Sequence, residues 1–119
     1  MSEEAWPEEM RVAKDRRSLT VAWDDGRRDT IAAELLRVES PSAEVQGHHE
    51  GQKTLVAGKR AVTITAAEPV GAYAVRLIFS DGHSTGLYTW PILRRLGAEQ
   101  DALMATYLAK LAAAGASRG

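Results

Sequence analysis

Apolar and polar positions alternate through Tyr73, Val75, Leu77 and Phe79, with Ala74, Arg76 and Ile78 between them. A period of two is that of a strand buried on one face. Asp81-Gly82 then reverses the chain, because glycine accepts the positive φ of a tight turn, and a second strand returns through His83 to Tyr88. From Thr89 the period lengthens. Pro91 suits the first turn of a helix, and Ile92, Leu93 and Leu96 fall on one helical face. The same order occurs earlier in the chain: Leu19, Val21 and Trp23 alternate with Thr20 and Ala22, Asp24-Asp25-Gly26 turns, Arg28 to Ile31 returns, and Ala32 to Val38 reads as a short helix.

The two stretches form an internal repeat. At one constant offset Trp23-Asp24-Asp25-Gly26 aligns with Phe79-Ser80-Asp81-Gly82 and Ile31 with Leu87, while Leu36-Arg37 aligns with Leu93-Arg94 one residue further on. Two copies are too few for a solenoid, so they are read as two similar hairpin-plus-helix units in one domain. Residues 39–60 between them are rich in Ser, Gly, Pro and charge and read as a long loop. Val62, Ile64 and Ala66 form a further strand, which Glu68-Pro69-Val70-Gly71 turns toward Tyr73. A C-terminal helix within 98–114 places Leu103, Met104, Tyr107, Leu108 and Leu111 on one face.

The expected fold class is α+β, a mostly antiparallel sheet of about five strands with helices packed on one face and a C-terminal helix. Residues 1–17 are expected to be a flexible arm from which Trp6 or Val12 docks on the body, 18–114 a single domain, and 115–119 a frayed tail.

Composition narrows the function. At 119 residues, 45% of them apolar, the chain supports one modest core. A formal charge of −1 argues against nucleic acid and anionic membranes as partners, despite the pairs Arg16-Arg17, Arg27-Arg28 and Arg94-Arg95. With no cysteine there is no disulfide, thiolate metal site or cysteine nucleophile. The acidic first residues do not read as a signal peptide, and no apolar run approaches the ~20 residues that cross a bilayer, so a cytoplasmic location is expected.

Trp23-Asp24-Asp25-Gly26, Leu36-Arg37, Pro69-Val70-Gly71-Ala72-Tyr73-Ala74, the run from Ser80 to Trp90 and Leu93-Arg94 together resemble the γ-butyrobetaine hydroxylase-like N-terminal domain over residues 18–97. That domain occurs as a small stand-alone bacterial protein of unknown function, ahead of the oxygenase domain in γ-butyrobetaine and trimethyllysine hydroxylases, and fused to Mrp-type iron–sulfur carrier ATPases. In the hydroxylases the resemblance implies a structural zinc held by a Cys-x-Cys-x-x-Cys loop and a histidine. Those positions fall on Ser40, Ser42, Val45 and His83 here, so three ligands are replaced and the inherited site is expected to be absent.

Two readings of His83 follow. In the first its ring bonds the 40–45 loop in place of the lost metal. In the second His48, His49 and Glu50 fold toward His83 and rebuild a site for Zn²⁺ or iron. His48-x-Glu50 is only superficially like an oxygenase triad, and Asp81, His83 and Ser84 lie too close in one turn to form a hydrolytic relay. Tyr88 and Trp90 are expected to be partly exposed and, with Arg37 and Arg94, to offer a partner or ligand surface.

The sequence therefore reads as a non-enzymatic accessory domain with no catalytic residues and no cofactor. Its expected partner is another protein, by family analogy a metalloenzyme or iron–sulfur carrier. A metal-binding protein is the alternative, and the oligomeric state stays open.

Overall fold

The computed structural model describes residues 5–47 and 53–119. The alternating segments form strands as their period requires. β1 (Pro7–Val12), β2 (Ser18–Trp23) and β3 (Arg28–Ala32) make an antiparallel sheet in that order, followed by α1 (Ala33–Val38) and the single turn α2 (Ala43–Gln46). β4 (Ile64–Val70), β5 (Ala74–Phe79) and β6 (Leu87–Thr89) make a second antiparallel sheet, followed by α3 (Trp90–Ala98) and α4 (Gln100–Ala113). The class is α+β and antiparallel with a C-terminal helix, and its strands are divided between two three-stranded sheets. Pro91 sits in the first turn of α3, and the Thr89 hydroxyl caps that helix by accepting from the Ile92 amide.

The repeat seen in the sequence is a repeat in space. Each half runs three strands and then a helix. Gly26 and Gly82 turn the two hairpins at the same φ of 91°. The Trp23 amide donates to Arg27 O at 2.8 Å and the Phe79 amide to His83 O at 2.9 Å, one bond per copy at matching places. Leu19, Val21 and Trp23 of β2 and Val75, Leu77 and Phe79 of β5 meet in one core with Leu35, Leu36, Tyr88, Leu93 and Leu96.

Three segments depart from their sequence reading. Residues 7–12 are not an arm but the edge strand β1, whose Met10 and Val12 pack on the core while Glu8, Glu9 and Arg11 stay in water. Its charged positions hid it, since an edge strand with one wet face needs few apolar residues. The turn read at Glu68–Gly71 begins later. β4 continues through Pro69, which an edge strand tolerates because its missing N–H is not needed, and the chain reverses at Gly71, whose φ is 54°. Tyr73 lies outside β5 and is 55% exposed, so it is not core.

The third departure is the tail. Gly58 and Arg60 donate backbone hydrogen bonds to Ser117 O and Arg118 O at 2.9 and 2.8 Å, and Arg118 grips the buried Glu34 carboxylate of α1 at 3.0 and 2.6 Å. Bidentate pairing to a carboxylate that has lost its water holds these residues down. Arg118→Ala is expected to lower stability by about 1–2 kcal/mol in urea denaturation. The cost stays modest because the freed tail lets water return to Glu34. A tail that contributes nothing would leave the midpoint unmoved.

Candidate functional site

The turn after β5 brings His83 against the segment following α1. The His83 amide donates to Asp81 Oδ1 at 3.0 Å, which fixes the turn and directs the ring inward beside Phe79. Its Nε2 meets Ser40 Oγ at 2.8 Å and Ser42 Oγ at 3.3 Å, and the two hydroxyls bond each other at 3.3 Å. Ser40, Ser42 and Val45 are buried, Ser40 completely, and His83 is 9% exposed. The four positions that the sequence grouped thus converge on one corner. Val45 supplies an apolar wall there. Glu44, joined to Thr85 by a short hydrogen bond, approaches His83 Nδ1 only to 3.7 Å, beyond hydrogen-bonding distance.

Charges of both signs flank this corner. Asp81 accepts from Arg37 Nε at 2.7 Å and pairs with Lys59 Nζ at 2.6 Å. Burial pushes the Asp81 carboxyl up, but Lys59, the His83 amide and Arg37 together outweigh it and hold the group well below the usual carboxylate range. His83 moves down, chiefly through burial and then through Arg37; Glu44 and Asp81 act the other way and Lys59 adds to the lowering. Its ring is therefore neutral at pH 7, able to accept from one serine.

A histidine lowered on folding binds fewer protons in the native than in the unfolded state. Stability from it is complete above the unfolded value near 6.5 and falls as pH drops from there toward the lower native value. Denaturation midpoints are expected to decline between about pH 7 and pH 5, and His83→Gln is expected to flatten that segment. An equal decline in the variant would assign it to other groups.

The other candidate residues are placed differently from one another. Arg37 is half-buried against Asp81, and its Nη1 is, among the described residues, a buried donor without a partner. Arg94 binds Asp25 at 3.2 and 2.5 Å and lies 5.2 Å above the Trp23 ring. These contacts are reciprocal. The arginine after α1's leucines clamps the turn aspartate of the second half, and the equivalent arginine of α3 clamps that of the first. Both belong to the junction and not to a free surface. Tyr88, expected to be partly exposed, is fully buried; its hydroxyl donates to Leu36 O at 2.5 Å, and burial pushes its phenol up. Trp90 is half-buried, donates to Ala72 O at 3.0 Å and takes the edge of Trp6 at 6.4 Å. His48, His49 and Glu50 lie outside the described residues. Glu44, Lys59 and Thr85 were not singled out by sequence, where nothing in their local pattern marks them.

Chemically the corner is closed. A serine bonded to an imidazole is half of a hydrolytic relay, but Ser40 exposes no surface to a substrate. Asp81 does not complete the relay, because it holds the backbone of His83. Among the described residues the most exposed large apolar side chains are two aromatics, Trp6 at 51% and Tyr73 at 55%.

Such a fold and site define a small α+β domain with a sealed polar junction between its two halves. The chain belongs to the gamma-butyrobetaine hydroxylase-like, N-terminal family, whose model matches residues 10–94. Two proteins solved by NMR in solution resemble it along nearly its whole length. One is 44% identical with a TM-score of 0.84, covering 97% of this chain and 90% of its own; the other is 47% identical with a TM-score of 0.84, covering 99% and 88%. A crystal structure of a DUF971-family protein of unknown function from Acidithiobacillus ferrooxidans ATCC 23270 is 44% identical with a TM-score of 0.66, covering 78% of this chain and 93% of its own. No curated protein matches the chain.

The zinc that the resemblance implies does not fit this corner. Two hydroxyls and a valine replace the thiolates, and the histidine nitrogen facing them is engaged with both serines. Among the described residues no group of three or more His, Cys, Asp or Glu is placed to hold a metal, and no helix is long and apolar enough to cross a membrane.

Proposed function

We propose that the chain is a non-enzymatic interaction module that docks another protein on an aromatic patch formed by Trp6, Tyr73 and Trp90. The patch carries the reading. Trp6 rests edge-on against Trp90, Trp90 is tied to Ala72 O, and Tyr73 follows at once, so two large rings stand in water on a fixed base. Tryptophan and tyrosine give a contact much area at small entropic cost, and they dominate interface energetics. By analogy with the family's fusions, the partner is a metalloenzyme or an iron–sulfur carrier.

The test is capture from the native host at native expression, with the wild type and a Trp6→Ala/Tyr73→Ala variant side by side. A specific partner that the variant loses while keeping its circular dichroism and melting curve supports the module. A monomer that captures nothing, or captures the same protein after both rings are removed, sinks it. The captured partner's own metal content then tells whether the iron–sulfur analogy holds.

A further inference from the structure

The stretch 53–56 runs beside Arg95 of α3 and Leu103, Thr106, Tyr107 and Lys110 of α4, and with Glu39 these residues line an open cavity of about 290 Å³. We propose that it binds a small amphiphilic carboxylate. Its apolar lining comes from Leu55, Val56, Leu103 and the ring of Tyr107. The Tyr107 hydroxyl is spent on Val56 O at 2.6 Å, so it pins the stretch 53–56 to α4 and holds the cavity open without a ligand.

The mouth is cationic. Lys53, Arg95 and Lys110 line it against one carboxylate, Glu39. Glu39 is consumed by Lys53, which reaches both of its oxygens at 2.8 and 2.7 Å. Arg95 has only a loose, solvent-exposed pairing with Glu99 at 3.4 Å, and Lys110 joins none of the ion pairs among the described residues. Two positive charges are thus left beside an apolar lining, on a protein whose overall charge is −1. An anionic head with a hydrocarbon body satisfies both surfaces at once. The volume is at the lower end for ligand sites, which limits the body to a short chain or one ring.

The probe is octanoate below its micellar range, titrated into the ¹⁵N-labelled full chain. Saturable shifts confined to residues 53–56, 95 and 103–110 are expected. Octanol, acetate and inorganic phosphate, each lacking one half of the chemistry, are expected to bind at least about tenfold more weakly. Arg95→Glu/Lys110→Glu, at two exposed positions, is expected to cost a similar factor, and Thr106→Trp to block the mouth by bulk alone. No shift with octanoate overturns the proposal. So does equal binding of octanol, acetate or phosphate, or of octanoate to the charge-reversed variant.

Discussion

Tyr88→Ala is expected to cost about 3–5 kcal/mol of stability, a large share of what a domain of this size possesses. Tyr88 stands in β6 of the second half, is fully buried, and ends on the carbonyl of Leu36 in α1 of the first half. Its removal leaves a cavity where the halves meet and a buried carbonyl without its donor. Tyr88→Phe separates the two effects. It keeps the volume and strands only the carbonyl, for an expected loss of about 1–3 kcal/mol. Guanidinium denaturation followed by tryptophan fluorescence measures both. If Tyr88→Phe were as stable as the wild type, the hydroxyl would not join the halves and the larger loss would be packing alone.

Gly86→Ala is expected to lose about 3 kcal/mol, the upper part of the range for overpacking. A β-carbon there would overlap Ser40 Oγ and stand 3.2 Å from Pro41 Cδ and 3.3 Å from Tyr88 Cε1. Nothing around it yields easily. Ser40 is held by His83 and Ser42, and Pro41 is a rigid ring. In a Ser40→Ala background the worst overlap is relieved, so the same substitution should cost distinctly less and the double-mutant cycle should show positive coupling. Additive losses would mean that the serine hydroxyl is not what Gly86 makes room for.

Much of the architecture was legible because period and turn chemistry agree. β2, β5 and α3 are specified by alternation, an Asp-Gly turn and a proline at a helix start. The repeat is legible too, and its alignment makes Arg37 and Arg94 equivalent positions. β1 was hidden because only Met10 and Val12 of its side chains pack inward, and the tail because pairing by backbone leaves no side-chain signature. At the site, the grouping of Ser40, Ser42, Val45 and His83 came through family resemblance. Local pattern alone joins no residue to another about forty positions away. The burial of Tyr88 is not legible, because its place beside a strand-to-helix junction says nothing about the α1 carbonyl that its hydroxyl meets.

The exchanged arginine clamps give the halves the geometry of a two-fold dimer interface drawn within one chain: each half offers an aspartate and takes the other's arginine. Each turn is closed by its own local hydrogen bonds and is tied by one arginine to the opposite half. With one shared core, the polypeptide is therefore expected to melt as one cooperative unit, and the most protected amides of β2 and β5 to exchange with solvent at a common opening free energy.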